Sequence, residues 1–257
     1  MKKTTNTKEI YIKRLGKRGD ITVWLVDGTK VRRDLDEEFT NFGHSYIHPI
    51  IPENEFWIDR EHRAGEAKYY IDHMLVEHKL IASGKTKGYA TDRADAVERR
   101  ERRKSKLVEM GIKKEISDKE IIKKIHKKLL KEYSGKVKAW IVNGELVRGI
   151  FYVDFTEGGH DKVFPFIPKK EIWLDDDLDP NEIKFILLHE THERNLMPEG
   201  RDIKISRGSV RPDRNYTKVY NSAHQSASKL EYYYRHHPEK LDKKLKKEID
   251  KSNKENE

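Results

Sequence analysis

The chain repeats itself at a constant offset of 116 residues. Residues 24–80 can be placed over residues 140–196 without a gap, so that VWLVDGTKVR matches AWIVNGELVR and PIIPENEFWID matches PFIPKKEIWLD. The alignment pairs rare residue types, with two Trp, two His and two Pro pairs in register. Chance is a poor explanation for such a match. The sequence therefore predicts two copies of one structural unit.

Each copy has the pattern of a small α+β unit. The apolar runs VWLV and AWIV end in Asp27-Gly28 and Asn143-Gly144, which are strong hairpin signals. The partner strands are then predicted at residues 29–39 and 145–155, and a further strand at 171–175. The predicted fold is α+β, with two tandem repeats, each a small antiparallel sheet (a hairpin plus one strand) packed with two helices.

In the second copy the two helices have clear limits. Asp179-Pro180 supplies an N-cap and a proline in the first turn, and Met197-Pro198 ends the helix. A second helix is predicted at residues 218–236. The expected organisation is repeat one at 1–98, a basic helical linker at 99–135, repeat two at 136–238 and a charged tail at 239–257.

Composition limits the chemistry. The 257 residues include no cysteine, which excludes disulfides, thiolate zinc sites and cysteine nucleophiles. Any metal must be held by His, Asp or Glu. No apolar run approaches membrane-spanning length, and MKKTTNTKEI lacks the apolar segment of a signal peptide. We therefore expect a cytoplasmic location and no membrane contact.

The segment FILLHETHERNLM at residues 185–197 is the main functional signal. As a helix it places His189 and Glu193 one turn apart on one face, where both can bind a single divalent ion. His224, on the next helix, is the candidate third ligand. Glu190, beside the first ligand, is the candidate general base for a metal-bound water. The predicted cofactor is zinc or another divalent metal.

Three further residues could join this site. His160 follows two glycines and could reach the same centre, while Glu231 lies two turns after His224 and could be a fourth ligand or could orient His224. His192 forms a rival i, i+3 pair with His189. A simpler interpretation stays open, in which the His and Glu residues form ordinary helix ion pairs.

The first copy keeps only part of this set. It has His44, His73 and Glu77 at the positions of His160, His189 and Glu193, but Met74 replaces Glu190. Placing Tyr89 on Tyr220 puts Arg93 opposite His224 and Arg100 opposite Glu231. We therefore predict that the first copy is degenerate and inactive, with arginines in the position of the metal.

The pattern G-G-H, I-P-x-x-E-I-W, L-L-H-E-x-x-E-R-x-L-M and A-H-x-x-A-x-x-x-E resembles a small uncharacterised domain of bacterial and phage-type proteins. Its helix is similar to the zincin-type H-E-x-x-H helix, with Glu193 at the position of the second His. The resemblance covers most of the second copy and, more loosely, the first. It implies domain boundaries rather than an activity.

A basic segment supports a different hypothesis. Residues 99–138 contain 16 Lys and Arg against 6 Asp and Glu, which accounts for the whole net charge of +9. It could contact nucleic acid or an acidic partner, or it could be a solvated helical linker. In the nucleic-acid hypothesis the contacts are made by Arg99, Arg100, Arg102, Arg103 and Lys104.

The sequence thus predicts a metal-dependent, peptidase-like hydrolase with its site in the second copy and an unidentified substrate. The alternative is a non-enzymatic nucleic-acid- or protein-binding protein that uses the basic segment, with the His/Glu cluster structural. We also expect the two repeats to pair within the chain, because duplicated domains often keep an ancestral pairing.

Overall fold

The chain divides into two compact units, Met1–Lys106 (unit 1) and Leu107–Glu257 (unit 2). The structure is a computed structural model, and it describes residues 9–63, 65–105, 108–109, 117–198 and 214–254. Both units combine a four-stranded mixed sheet with helices, so the α+β class predicted from sequence is confirmed. None of the described helices is long and apolar enough to cross a membrane.

Unit 1 contains four strands and three helices among its described residues. In chain order they are β1 Tyr11–Arg18, β2 Ile21–Val26, α1 Gly28–Asp34, β3 Phe42–His44, β4 Glu55–Asp59, α2 Ala67–Ala82 and α3 Lys87–Arg102. The sheet order is β1-β2-β4-β3. The central pair, β2 and β4, is parallel, and both outer pairs are antiparallel.

Unit 2 has the same sheet with additional helices. Its described elements are α4 Asp118–Ile125, β5 His126–Leu129, β6 Lys138–Val142, α5 Gly144–Ile150, β7 Gly158–His160, β8 Glu171–Asp175, α6 Ile183–Leu196, α7 Arg214–His236 and α8 Leu241–Lys254. The strand order is β5-β6-β8-β7, again with a parallel central pair. Trp140 lies opposite Trp173, as Trp24 lies opposite Trp57 in unit 1.

The predicted hairpins at Asp27-Gly28 and Asn143-Gly144 are wrong. Both Asp27 and Asn143 are helix N-caps, whose side chains accept from the backbone N–H groups three residues on. The segments at 29–39 and 145–155, predicted as strands, therefore begin as helices α1 and α5, and the sheets are mixed rather than antiparallel.

The two glycines are required by packing. A Cβ on Gly28 would lie 1.8 Å from Asp59 Oδ2, and one on Gly144 would lie 2.2 Å from Asp175 Oδ1. These residues thus let each short helix start against the end of the neighbouring parallel strand. The true hairpin of unit 1 joins β1 to β2 through Gly19, whose φ of +62° suits glycine.

The predicted linker and tail are divided differently by the structure. Residues 99–102 end α3 of unit 1, whereas α4 and β5 belong to unit 2, with Ile121 and Ile125 buried in its core. Within the predicted tail, α8 packs on α6 through buried Leu241 and Leu245. Asn195 Nδ2 also donates to the backbone oxygen of Glu248 at 3.0 Å. Unit 2 therefore uses the second part of the predicted linker and the predicted tail as core elements.

Each sheet has a core on both faces because alternate strand residues point to opposite sides. In unit 2, Trp173 packs with α4 and α5, while its neighbours Ile172 and Leu174 pack with α6 and α8. Unit 1 divides in the same way, with Trp57 on one face and the adjacent Phe56 on the other. This alternation fixes α6 against the sheet and turns its polar side away from it.

Candidate metal centre

Helix α6 carries the apolar run that anchors the site. Its residues Ile186, Leu187 and Leu188 are buried on the sheet. His189 and Glu193 lie one helical turn apart, on the side of α6 that faces helix α7. Helix α7 supplies His224. Strand β7 ends at His160 and brings a fourth side chain to the same place. The structure therefore brings together the three predicted ligands, and it adds His160, which the sequence predicted only as a possible further residue of the site.

Three donor atoms converge between α6 and α7. His189 Nε2 lies 3.6 Å from Glu193 Oε2, His224 Nδ1 lies 2.8 Å from the same oxygen, and the two nitrogens are 3.1 Å apart. Ligands about 2.0–2.1 Å from a tetrahedral zinc ion are separated by about 3.3 Å. The three atoms are thus spaced as the ligands of one small divalent ion would be.

Glu231 holds His189 from the other side of its ring. Its Oε2 lies 2.8 Å from His189 Nδ1, and Arg235 Nε donates to its Oε1 at 2.7 Å. Burial opposes ionisation of Glu231, but the charge of Arg235 and the hydrogen bond from His189 outweigh it and lower its pKa to about 2. With Nδ1–H donated to this carboxylate, Nε2 of His189 is left for a ligand.

A proton and a metal ion compete for the Nε2 atom of His189. Burial disfavours its charged form, yet the hydrogen bonds to Glu193 and Glu231 raise its pKa well above the ordinary value. Burial also opposes the charge on Glu193, but hydrogen bonds to three histidines lower its pKa. A metal ion bound at Nε2 must therefore displace a proton, which makes its affinity dependent on pH.

His160 orients Glu193 instead of acting as a ligand. The backbone N–H of Lys162 donates to His160 Nδ1 at 3.2 Å, so the ring proton lies on Nε2 and is donated to Glu193 Oε1 at 3.0 Å. Burial of the ring lowers the pKa of His160 and favours this neutral form. The contact occupies one oxygen of Glu193 and leaves Oε2 facing His189 and His224.

Glu190 forms a second cluster with His160 and Glu193. Among the donor atoms of His160, Glu190 and Glu193, all separations are within 4.8 Å. Burial and the charge of Glu193 raise the pKa of Glu190 to about 8. A Cβ on Gly158 would approach Glu190 Cγ to 3.2 Å, so the glycine of the edge strand gives this side chain its room.

His192 does not join the donor set. Its Nε2 lies 3.1 Å from Ser226 Oγ, and its Nδ1 lies 3.2 Å from Glu248 Oε2. The rival pair with His189 is therefore not brought to a common centre in the described structure. His192 instead connects α6 with α7 and α8.

Unit 1 retains the outer part of this arrangement. His73 Nδ1 lies 2.9 Å from Glu98 Oε2, and Arg102 Nε donates to Glu98 Oε1 at 2.8 Å. His44 Nε2 lies 2.9 Å from Glu77 Oε2. These contacts correspond to His189–Glu231–Arg235 and His160–Glu193 in unit 2.

The predicted alignment of the second helices is wrong. The contacts equate Glu98, not Arg100, with Glu231, and Thr91, not Arg93, with His224. Thr91 Oγ1 donates to Glu77, as His224 contacts Glu193. Arg93 and Arg100 are exposed, so they do not occupy the position of a metal.

A spacing in the sequence could have given this register. The pattern A-x-x-x-A-x-x-x-E-x-x-x-R occurs once in each second helix, and both alanines are buried in each. Small residues allow close packing on α2 or α6, so their positions fix the rotation of the helix. Its members are Ala90, Ala94, Glu98 and Arg102 in unit 1 and Ala223, Ala227, Glu231 and Arg235 in unit 2.

Unit 1 therefore lacks the inner residues of the site. Thr91 supplies no imidazole, and the fully buried Met74 stands where Glu190 lies in unit 2. In the described part of unit 1, His44, His73 and Glu77 do not bring three donor atoms within 4.8 Å of one another. The donor set of unit 1 is thus incomplete, in agreement with the degenerate copy predicted from sequence. The residue at the position of His224 is Thr91, however, and not the predicted Arg93.

The arginines of the nucleic-acid hypothesis have different surroundings. Arg102 is buried in ion pairs with Glu66 and Glu98, which removes it from any surface. Arg100 and Lys104 are largely exposed and pair with Glu101, and Arg103 is exposed. Arg99 is partly buried at the end of α3.

Comparison with family models, curated proteins and solved structures finds no match to the chain. The geometry of the site in unit 2 and its contrast with unit 1 therefore provide the evidence on function.

Proposed function

We propose that unit 2 is a metal-dependent, peptidase-like hydrolase that holds zinc or another divalent ion through His189, Glu193 and His224. The observation that supports this most directly is the spacing of three donor atoms at 2.8–3.6 Å from one another. Two of these ligands also have dedicated partners, Glu231 for His189 and His160 for Glu193. Carboxylate and imidazole partners of this kind orient metal ligands and favour one tautomer.

Glu190 is the proposed general base. A bound divalent ion supplies acidity to a coordinated water, lowering its pKa towards neutrality. Glu190 lies beside Glu193 and has no hydrogen bond to a described residue. Burial and the charge of Glu193 raise its pKa and keep it largely protonated without a metal, and a bound divalent ion would lower that pKa so that the carboxylate could accept the proton. The same carboxyl group would return the proton to the leaving amine of a peptide.

We further propose that the two units arose by duplication and that unit 1 has lost the reaction. The units share strand order, the tryptophan pairing and the His–Glu–Arg network behind the site. The differences fall on the third ligand and the base. Unit 1 lacks these two inner residues but keeps the outer contacts. Relaxed selection for catalysis, together with continued selection for stability, would produce this pattern.

The proposal is tested on the full chain by metal analysis and peptide hydrolysis. After dialysis against zinc, we expect one ion per chain in the wild type and none in Glu193→Ala. Glu190→Gln should keep its zinc and lose hydrolysis of a mixed peptide substrate. Glu77→Ala, the matched change in unit 1, should keep both metal and activity.

Two results would count against the metal site, and a third would count against the proposed base. A wild-type chain that retains no zinc, manganese or nickel would remove the metal site. Equal metal content in Glu193→Ala and Glu77→Ala would mean that the ion, if present, lies elsewhere. An active Glu190→Gln variant would keep the metal site but exclude Glu190 as the base.

A further inference from the structure

One edge of unit 2 is covered with lysines. Helix α4, the edge strand β5 and the turn into β6 form this surface, which we call the lysine edge. All of its lysine side chains are exposed. They are Lys119, Lys123, Lys124, Lys127, Lys128, Lys131, Lys136 and Lys138.

The positive charge of the lysine edge is mostly uncompensated. Among the described residues, Lys127 alone of the eight forms a salt bridge, with Asp176, while Lys124 interacts electrostatically with Glu120 without a salt bridge. The acids in the same segment are few, and Glu120 is engaged by the N-cap of α4, where it accepts from the backbone N–H of Ser117 at 2.9 Å. Within the described part of the chain, the surface therefore presents seven lysines that form no salt bridge.

Packing of α4 directs its lysines outward. Ile121 and Ile125 are buried against the core of unit 2. At 100° per residue, Lys123 lies on the opposite face of the helix from these two, and Lys119 lies close to it. The fold thus fixes an apolar face inward and a cationic face outward.

Protection of an edge strand explains only part of this charge. Lysines on an outer strand discourage pairing with another chain, which suffices for Lys127 and Lys128 on β5. It does not require lysines on α4 or after the strand. The excess beyond the strand indicates an anionic partner.

We propose that the lysine edge binds nucleic acid through its phosphates, without reading base sequence. A phosphodiester backbone offers closely spaced single charges to a row of ammonium groups. The segment 117–138 exposes no large apolar side chain among its described residues, so it lacks the wedge that would insert into a lipid surface. This surface does not depend on the proposed metal site.

The test is salt-dependent binding of the full chain to a labelled 20-base-pair DNA duplex, followed by fluorescence anisotropy. The test variant carries Lys123→Gln, Lys124→Gln and Lys128→Gln. The matched control carries Lys243→Gln, Lys246→Gln and Lys247→Gln, which remove the same charge from exposed positions of α8. Thermal melting of both variants checks that they fold.

We expect the wild-type affinity to fall steeply between about 50 and 200 mM salt, with a slope near −0.9 for each phosphate contacted. The test variant should lower the magnitude of this slope by about 3 and weaken binding at 0.1 M salt on the order of a hundredfold. The control variant should keep the wild-type slope.

Three results would overturn the proposal. The wild type could fail to bind either the duplex or its single strand at about 50 mM salt. Both variants could weaken binding equally, which would show an effect of net charge alone. The chain could bind vesicles containing phosphatidylserine more tightly than DNA, and the test variant could lose this binding. That result would assign the surface to a membrane.

Discussion

A third metal ligand can be installed in unit 1 by one substitution. The contacts of the two second helices equate Thr91 with His224, because each reaches the glutamate on the preceding helix. We predict that Thr91→His creates a second zinc site together with His73 and Glu77. The nearby change Arg93→His is the control, since Arg93 is exposed and was opposite His224 only in the sequence alignment.

The affinity of the new site can be estimated from what must rearrange. In unit 1, His44 contacts one oxygen of Glu77 and Thr91 contacts the other, just as His160 and His224 divide the two oxygens of Glu193. The substitution removes the hydrogen bond from Thr91 to Glu77, and His73 Nε2, which lies 3.9 Å from Glu77 against 3.6 Å for the equivalent pair in unit 2, must move closer. These changes disturb one or two hydrogen bonds of about 1 kcal/mol each. The new site should therefore bind zinc about 5- to 30-fold more weakly than unit 2.

The assay is zinc content after equilibrium dialysis, supported by calorimetric titration. Thr91→His should raise the content from one ion to two per chain, and Arg93→His should leave it at one. Combining Thr91→His with Glu193→Ala should return it to one, which places the new ion in unit 1. A single ion in Thr91→His, or two ions in Arg93→His, would refute the equivalence of the two helices.

Three other predictions concern the partners of the site and the core. Glu231→Gln should weaken zinc binding about 10- to 100-fold, because the ring of His189 would no longer be held in one orientation. Titration calorimetry measures this affinity, and an unchanged value would show that the contact between Glu231 and His189 is incidental. Burial disfavours the charged form of His73, but its bond to Glu98 outweighs this and raises its pKa. The resulting stabilisation is present below the unfolded pKa of about 6.5 and is lost as pH rises through the folded pKa. An NMR titration should therefore show a His73 midpoint above 6.5 that falls in Glu98→Gln, and an unshifted midpoint would contradict this. Leu245→Ala should reduce the free energy of unfolding by about 2–5 kcal/mol in urea, whereas a loss below about 0.5 kcal/mol would show that α8 is not part of the core.

The sequence predicted the site better than it predicted the sheet. His189, Glu193 and His224 could be placed together because helix periodicity determines which residues share a face, and the apolar run before His189 set the rotation. The Asn143-Gly144 signal was ambiguous because asparagine favours both hairpin turns and helix N-caps. What decided between them was the close approach to Asp175, a contact between distant residues that local sequence does not contain.

The sequence alignment of the second helices, α3 and α7, is wrong for a related reason. The connections before them differ in length, so the constant offset of 116 no longer applies, and matching Tyr89 to Tyr220 was locally reasonable. The helix rotation is determined by burial of alanines such as Ala90 and Ala223 against the preceding helix. Packing of this kind is recognised from a pattern over four turns, not from single matching residues.

The parallel pairing at the centre of each sheet also has a kinetic consequence. Trp24 and Trp57 are 33 positions apart, as are Trp140 and Trp173, so each pairing must close a loop of that length. Closure of such a loop costs about 3 kcal/mol in chain entropy, whereas the β1–β2 hairpin closes through a short turn within microseconds. We therefore expect the hairpin of unit 1 to form first and the parallel strand to dock at the rate-limiting step. Substitutions in β4 should accordingly slow refolding more than those in β1.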